Sequence, residues 1–580
     1  MAALTAASIG HAEIVIDGVV DEPEWQQAQL FNEFVVTQPF TRARPDHPCE
    51  ARMLGTPAGI AVAFVVTQPR DVPRQRAQTP RDADIPGDRV NLFIDLNADG
   101  VTAYNFTVGL SGAVQDATLT NENQYSPDWD GEWQHAVREE EDRWTVEMLI
   151  PWSTAAMHDS KSETRTVAVI FDRVLGANSQ RSASAAETFL HARFVSNFPP
   201  VQIAQFAQSE FQLEPYLSVL NDLRGGDAEA KTGMDLFWKP SGDFQLAATL
   251  HPDFGQVESD ELVVNFDAIE TFFSDKRPFF TENQGFFDLP TPNGGQLIYT
   301  RRIGAARDDG DGAASVDAAV KVIGSAHGFN YGALSALESD YSDDLGRAFY
   351  AQRLTYPSGP FTVGYVGTYV DRPLLVRQAC VNGLDLSWRR DAHLAIKGQL
   401  VQSDVRQSSQ STRDGMQWLS ADLTPPGQWR HQIELSHFGK ELDFNDLGFL
   451  PRADLNRLRV DNAYTDNNFR TGLPWESVLW LLKTKIGYND SGERLPAELT
   501  LNAIATLRSG DDLALYLIGR SAGVNDLISR GNGSVQIPAR PQAQMVWTTP
   551  RRGDWSFFAT AAVSGEGLGK PVFFGVLQST

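Results

Sequence analysis

The sequence of 580 residues contains little cysteine and has a deficit of basic charge. Its two cysteines, Cys49 and Cys380, lie far apart and show no metal-ligand spacing, which argues against a disulfide framework and against a zinc site. Acidic side chains number 74 against 49 basic ones, for a net charge of −25, and the basic residues form no dense stripe. We therefore expect no nucleic-acid partner, because phosphate backbones are repelled by such a surface.

A run of about 18 apolar residues, the length that a membrane-spanning helix needs, is also missing from the sequence. The mean hydropathy is −0.29. These values exclude spanning helices. They do not exclude a membrane β-barrel, because barrel strands alternate apolar and polar residues and are mildly hydrophilic on average.

The first 210 residues read as a compact β domain. Residues 59–66, 89–95, 103–108 and 143–152 are short strand-like runs, and two of them alternate with period two. Many short strands that are separated by polar turns predict a β-sandwich.

From Tyr216 onward the sequence has roughly eighteen segments of about ten residues that alternate apolar and polar positions, many flanked by aromatic residues. Some connections are short and turn-like, namely 239–243, 356–360, 424–428, 508–511 and 549–554. Others are longer and rich in Asp, Ser, Asn and Gly, namely 308–312, 338–346, 403–415 and 489–493. Short turns on one side and long loops on the other are typical of an outer-membrane barrel. A soluble solenoid or a second sandwich is the alternative.

The predicted fold is therefore all-β, with an N-terminal β-sandwich (13–210) and a large antiparallel β-barrel of outer-membrane type (211–580). Residues 1–12 are rich in alanine and end like a secretory signal, with a misplaced start codon or a trimmed sequence as the alternative. Outer-membrane barrels usually end on an aromatic residue, and Thr580 is not one. We therefore expect further C-terminal strands.

Several segments carry a resemblance to known families. The first part resembles the family 9 carbohydrate-binding modules, and the second resembles an outer-membrane family of unknown function, number 5916, that is often found behind this module. The matching segments are 16–25, 88–95, 129–133 and 144–152 for the module, and 251–258, 272–280 and 444–452 for the second family. The resemblance implies a sugar-binding sandwich joined to a barrel whose own role is not established.

A sugar site needs an aromatic face for the pyranose ring and polar groups for its hydroxyls. Residues 125–133 concentrate such groups in one loop-like segment. The predicted carbohydrate ligands are Tyr125, Trp129, Asp130 and Trp133. The alternative for tryptophans in this region, Trp133, Trp144 and Trp152 among them, is a place in the sandwich core.

A second candidate site lies at Asp95, Asn97 and Asp99, which copy the first half of a calcium-binding loop with oxygen ligands at alternate positions and Gly100 at the turn. The twelfth position of such a loop is Phe106, so the bidentate Glu is missing. A hairpin turn explains the same residues without calcium. Modules of this resemblance can carry structural calcium.

A glycoside hydrolase would need two carboxylates that face each other across a cleft. Acidic residues are so abundant that no pair stands out, and the nominal candidates are Glu132, Glu147, Asp172 and Glu187. The sequence shows no Gly-x-Ser-x-Gly elbow in a suitable context and no His-Glu-x-x-His motif. Catalytic residues are therefore not assigned, and the question of enzyme activity stays open.

One more segment stands out, because residues 270–288 contain six Phe residues around Lys276-Arg277-Pro278. It either folds inward, where it plugs the lumen or seals the junction between the two parts, or forms a strand of the barrel wall.

These observations predict an exported protein of the outer membrane with a domain that binds a glycan or polysaccharide without catalysis, for carbohydrate capture or catabolism. Its partners are then the glycan and outer-membrane lipid, and the N-terminal domain is periplasmic or surface-exposed. The alternatives are a glycoside hydrolase and a transport or assembly barrel that carries a docking domain.

Overall fold

The structure is a computed structural model. It describes residues 14–154, 157, 163–189, 193–206, 209–221, 228–252, 263–265, 268–310, 312–341, 345–467, 472–550, 555–565 and 571–579. The possible signal remnant at 1–12 and most of the segment 251–258 lie outside the described residues.

Thirteen strands are described before residue 205. They are β1 (Gln29–Phe31), β2 (Val35–Gln38), β3 (Cys49–Gly55), β4 (Gly59–Thr67), β5 (Arg89–Asp95), β6 (Thr102–Gly109), β7 (Val114–Thr120), β8 (Gln124–Ser126), β9 (Gln134–Glu139), β10 (Arg143–Pro151), β11 (Thr164–Leu175), β12 (Gln180–Ala183) and β13 (Pro200–Ala204). One sheet has the order β1-β3-β4-β10-β9. The other has the order β2-β12-β11-β5-β6-β7-β8, with β13 paired to β11. Short 3-10 helices lie at Pro23–Gln26, Trp152–Thr154 and Val195–Asn197.

The two sheets pack face to face, which confirms the predicted sandwich. Their shared core joins Phe64 of β4 and Trp144 of β10 to Leu92, Phe106 and Phe171 of the other sheet. The outer faces are partly covered as well, and this explains why β4 and β5 are buried almost throughout rather than alternating. Burial of both faces produces near-continuous apolar strands.

The remaining strands begin at residue 210. They are β14 (Glu210–Asn221), β15 (Ala228–Ser241), β16 (Phe244–Leu250), β17 (Pro290–Thr291), β18 (Gly295–Gln296), β19 (Val316–Ala326), β20 (Phe329–Glu338), β21 (Ala348–Ser358), β22 (Phe361–Arg372), β23 (Arg377–Arg389), β24 (Leu394–Gln407), β25 (Gln410–Leu423), β26 (Trp429–Phe438), β27 (Leu455–Asp466), β28 (Trp475–Tyr488), β29 (Glu498–Leu507), β30 (Asp512–Arg520), β31 (Gly523–Asn525), β32 (Val535–Ile537), β33 (Arg540–Thr548), β34 (Phe557–Gly565) and β35 (Pro571–Ser579). The short helix α1 spans Pro278–Thr281, and 3-10 helices lie at Gln284–Phe286, Pro292–Gly294 and Thr300–Arg302.

Eighteen of these strands form one antiparallel sheet in the part of the chain that the structure describes. Its order is β14-β15-β16-β19 to β30-β33-β34-β35, so consecutive strands are neighbours, and β17-β18 and β31-β32 form two small separate pairs. The all-β class and the predicted number of segments are confirmed. No described helix is long and apolar enough to cross a membrane.

The large sheet exposes many apolar side chains on one of its faces. Leu384, Leu400, Leu435 and Leu499 are 53% to 58% exposed on one face, whereas polar side chains on the other face are buried. Buried examples are Gln399, Ser403, Ser420, Glu434 and Asn502. This distribution is the reverse of that in a soluble protein. It is the pattern of barrel strands that face lipid.

The connections mostly alternate in length as the sequence predicted, but β22-β23 (373–376) is short on the long-loop side and β27-β28 (467–474) is longer than the other turns on the short-turn side. Residues 403–415 were expected to be a long loop, and this is wrong. Strands β24 and β25 run through the segment, Ser403 is paired with Asp414, and the turn is only two residues long. Polar residues on both faces of a hairpin give a sequence that resembles a loop. Antiparallel pairing nevertheless supplies the backbone hydrogen bonds, whatever the side chains are.

Residues 272–303, named here the inner segment, lie outside the sheet order and pack on its polar side. Phe280, Phe287, Leu289 and Ile298 form one buried cluster with side chains from β19 through β27, including Leu334, Phe349, Val381, Val401, Met416, Phe438 and Leu455. The segment of 270–288 is therefore folded inward rather than a wall strand. We call the face of the sheet that it contacts the inner face.

The sandwich contacts the end of the large sheet that carries the short turns. Lys239 Nζ donates to the Trp152 carbonyl at 2.9 Å, and Arg389 Nη1 donates to the Ser196 carbonyl at 3.0 Å. Asn467, after β27, donates to the Phe40 carbonyl at 3.0 Å. These contacts come from the β15-β16, β23-β24 and β27-β28 connections, which alternate in a meander and therefore share one end.

Candidate functional site

The loop between β8 and β9 packs over the side chain of Trp129. Trp129 is 6% exposed, and its ring centroid lies 4.8 Å from that of Tyr104 and 6.0 Å from that of Phe106. A Cβ atom at Gly131 would lie 2.6 Å from the Trp129 ring, so a glycine is required where the loop crosses the indole. The Trp129 ring is part of the core and anchors the loop, which leaves its faces covered.

The other three predicted carbohydrate ligands lie closer to the surface. Tyr125 is 37% exposed and its hydroxyl lies 3.3 Å from Asn105 Oδ1. The Asp130 carboxylate is exposed, and Trp133 is half-buried. The Trp133 ring meets Phe106 edge to face, with centroids 5.2 Å apart, and also neighbours His135. Aromatic and acidic groups are therefore presented together at this loop.

Asp116, which the sequence analysis did not select, bonds three groups of the site from beneath the loop. It is fully buried, and its Oδ2 atom accepts from Trp133 Nε1 at 2.8 Å and from the Gly131 amide at 2.9 Å. Arg81 Nη2 donates to the same oxygen at 2.7 Å. Because one carboxylate binds the indole, the loop backbone and a guanidinium, the orientation of Trp133 is fixed by buried charge-assisted bonds.

Arg81 links the buried Asp116 carboxylate to the exposed Asp130 carboxylate. Its Nε atom lies 2.9 Å from Asp130 Oδ1, and its side chain is 44% exposed. The site therefore offers a guanidinium and a carboxylate beside an aromatic ring, which are the groups that bind sugar hydroxyls and a pyranose face. Neither Arg81 nor Asp116 had a local sequence signal, since both belong to other strands or loops.

Asp82 completes a group of three carboxylates. Ligand atoms of Asp82, Asp116 and Asp130 lie within 4.8 Å of one another, the one such group among the described residues. Burial and the neighbouring Asp116 carboxylate raise the pKa of Asp82 to about 7. These oxygens are suited to a hard cation such as Ca²⁺, but Arg81 already contacts all three carboxylates and supplies positive charge there.

The candidate calcium loop at 95–99 is the turn of a hairpin. Strands β5 and β6 pair directly, and both Asp95 oxygens accept backbone amides, from Asn97 at 3.0 Å and from Gly100 at 2.7 Å. Asp99 Oδ1 accepts the Val101 amide at 2.9 Å. A bound cation would have to compete with these bonds.

Two of the four nominal catalytic acids are engaged in structural bonds. Glu147 is fully buried, and its oxygens accept from the Gly18 amide at 2.9 Å, the Asp17 amide at 3.1 Å and Trp25 Nε1 at 2.9 Å. Asp172 is buried against Arg181 at 3.0 Å. Glu132 is exposed, and Glu187 is half-buried. Glu147 therefore ties the N-terminal turn to β10.

The buried acids give the sandwich a predicted pH dependence. Burial raises the pKa of Glu147 to about 7, against about 4.3 in an unfolded chain. The folded state then retains a proton that the unfolded state has lost, so this contribution is complete below about pH 4 and is lost as the pH rises through 7. We expect the melting temperature to respond less to a change from pH 5 to pH 8 in Glu147→Gln than in wild type, measured by near-ultraviolet circular dichroism. Equal responses in the two proteins would contradict the assignment.

Comparison with known families matches two segments of the chain. Residues 16–188 match the carbohydrate family 9 binding domain-like family. Residues 210–324 match a family described as a domain of unknown function, number 5916. Both predicted resemblances are confirmed, and the first supports glycan binding by the family 9-like sandwich. The sequence matches no curated protein.

Several solved structures are similar to parts of the chain at low identity. A candidate carbohydrate-binding protein from Bacteroides uniformis is 14% identical, with a TM-score of 0.26, over 31% of this chain and 88% of its own. The OpdK protein of Pseudomonas aeruginosa, solved with vanillate, is 10% identical, with a TM-score of 0.24, over 85% of this chain and 97% of its own. OccAB1 of Acinetobacter baumannii is 7% identical, with a TM-score of 0.24, over 85% and 96%. Similarity at this level carries no functional inference.

Proposed function

We propose that this protein binds glycans without catalysis, through its family 9-like sandwich, and is held in the outer membrane by its eighteen-stranded sheet. The observation that carries the proposal is the buried Asp116 carboxylate, which orients Trp133 and Arg81 beside the exposed Asp130. Unlike the buried network of Glu147, this network ends in groups that reach water, since the Arg81 and Asp130 side chains are 44% and 73% exposed. A sugar site needs such groups in a fixed position, because stacking and hydroxyl binding depend on fixed geometry.

In this proposal the four predicted ligands have different roles. Trp133 supplies the aromatic surface, and Tyr125 and Asp130 supply hydrogen bonds to hydroxyls. Trp129 supports the loop from the core and does not stack on the sugar. Arg81 is added as a fifth polar group, since its guanidinium is partly exposed next to Asp130.

The membrane assignment is supported by the exposed leucines of the large sheet and the polar residues of its inner face. Contact between these leucines and lipid costs little free energy, whereas their contact with water is unfavourable. Short turns in outer-membrane barrels lie on the periplasmic side. Because the sandwich contacts the short-turn end, we place the sandwich in the periplasm.

The test is a glycan-array screen of the detergent-purified protein, with Trp133→Ala as the variant. We expect wild type to bind a subset of saccharides and the variant to bind them several-fold to about tenfold more weakly, because an aromatic contact is worth about 0.5–1.5 kcal/mol. Leu30→Ala, which shortens an exposed apolar side chain elsewhere on the sandwich, is the control. Absence of saccharide binding by wild type, or equal binding by wild type and Trp133→Ala, would refute the site.

The contacts between the sandwich and the short turns favour a second candidate function, a transport or assembly barrel with the sandwich as its docking domain. Lys397 Nζ of β24 lies 3.0 Å from Glu122 Oε1 of the sandwich, inside the same end of the sheet. Conductance in planar bilayers, compared between wild type and Glu122→Gln, tests it. A docking role predicts that the variant conducts more often, whereas an inert anchor predicts no conductance in either protein.

A further inference from the structure

The register of the large sheet aligns charged residues in one row on its inner face. Glu434 is paired with Arg459, Arg459 with Lys485, Lys485 with Glu498, Glu498 with Arg520, and Arg520 with Arg540, across β26, β27, β28, β29, β30 and β33. Directly paired residues point to the same face of a sheet. The residues next to the row, Leu435, Leu458, Ile486 and Leu499, are exposed on the opposite face.

The row is not covered by the inner segment to the same extent as the preceding strands. The cluster around Phe280 and Phe287 involves β19 through β27, whereas the side chains of Arg459 and Arg520 are each 32% exposed and that of Lys485 is 42% exposed. These cations therefore reach water on the inner face. A solute that enters beside the inner segment can contact them.

Positive charge exceeds negative charge along this surface. The row and its flanking inner positions contain six cations, Arg457, Arg459, Lys483, Lys485, Arg520 and Arg540, and three carboxylates, Glu434, Asp461 and Glu498. Glu498 serves two cations at once, with Lys485 at 3.1 Å and Arg520 at 2.9 Å. In a protein of net charge −25, a local excess of this sign is a specific feature.

The strongest imbalance is at Arg520 and Arg540. They are directly opposite on neighbouring strands, a position in which like charges destabilise a sheet. Within the described residues Arg540 has no ion-pair partner, and its Nε atom is buried without a hydrogen bond. Two guanidinium groups that face each other without a second carboxylate are suited to an anion that bridges them, because a guanidinium binds carboxylates in a bidentate fashion.

We propose that the row Arg459, Lys485, Arg520 and Arg540 binds a carboxylate-bearing oligosaccharide on the inner face of the large sheet. The ligand class rests on the proposed carbohydrate function, and the charge of the ligand rests on the row. The row crosses neighbouring strands close to the connections at the end of the sheet away from the sandwich, since Arg520 ends β30 and Arg540 begins β33. A bound acidic saccharide would therefore lie across these strands, near that end of the sheet.

The experiment is isothermal titration of the full chain in non-ionic detergent with trigalacturonate, an acidic probe, and with maltotriose, a neutral one. We expect trigalacturonate binding that weakens when salt is raised, because charges that reach water are screened. Arg540→Gln is expected to weaken it about tenfold, the effect of removing one charged hydrogen bond. Lys485→Gln, which removes another charge of the row, should also weaken trigalacturonate binding.

The matched control is Arg406→Gln, an equal change of charge at an exposed position of β24, which should leave the affinity unchanged. Trigalacturonate binding that Trp133→Ala abolishes and Arg540→Gln does not change would assign the ligand to the sandwich and overturn the row as a site, while the proposed function survives. No trigalacturonate binding by wild type would overturn the row as well. Maltotriose binding that depends on Trp133 reports on the proposed function separately.

Discussion

Glu147→Ala is expected to destabilise the sandwich by about 3–5 kcal/mol, because it leaves three donors, two of them buried, without an acceptor. The carboxylate binds the amides of Asp17 and Gly18 and the indole of Trp25, and all three bonds close the N-terminal turn over β10. Each buried group left unpaired costs about 1–3 kcal/mol. The measurement is chemical denaturation, monitored by tryptophan fluorescence.

Glu132→Ala is the matched control, since it removes the same side chain from an exposed position of the same domain. Surface changes of this kind are usually within about 0.5 kcal/mol. A stable Glu147→Ala protein that has lost a measurable glycosidase activity would contradict the structural role and revive the hydrolase alternative. A variant that unfolds at much lower denaturant concentration supports it.

The fold could be predicted from the sequence because the relevant signals are local. Alternation of apolar and polar residues is read from neighbouring positions, and it gave both the all-β class and the number of strands in the large sheet. The lengths of the connections were also local, and they indicated two different ends. The segment 403–415 was misread because polar residues on both faces of a hairpin remove the alternation.

The candidate site was predicted only in part, because its organisation depends on contacts between distant residues. Composition placed Trp129 and Trp133 in the same loop, but burial separates them, and only Trp133 is tied to a charged group near the surface. Asp116 lies 15 positions from Gly131 and 17 from Trp133, and Arg81 lies 35 positions from Asp116. The cationic row depends on strand register, which a single sequence does not specify.

Arg277→Ala is expected to loosen the fold of the inner segment, because the bonds of the Arg277 guanidinium join separate parts of that segment. The Arg277 guanidinium binds Asp275 at 2.6 and 2.8 Å and the carbonyls of Ile303 and Thr300 at 2.7 and 2.8 Å, and it lies 4.2 Å from the Phe280 ring centroid. Asp275 is 3% exposed, so the variant leaves a buried carboxylate without its cation. Breaking a buried pair in this way costs about 3–5 kcal/mol.

Limited trypsin digestion measures the loosening, with mass spectrometry to locate the cuts. Arg301 and Arg302 are the reporting sites, since both bind backbone carbonyls while the segment is seated, at Ser274 and Gly448. A loss of about 3 kcal/mol raises the population of the open segment by roughly two orders of magnitude, and cleavage follows that population when reclosing is fast. Arg277→Lys should be intermediate, because it retains the charge and loses the bidentate geometry. Arg413→Ala, at an exposed ion pair, should digest like wild type. Rapid cutting of wild type at Arg301 would show that the segment is not seated against the sheet, because no buried contact would then be slowing the protease.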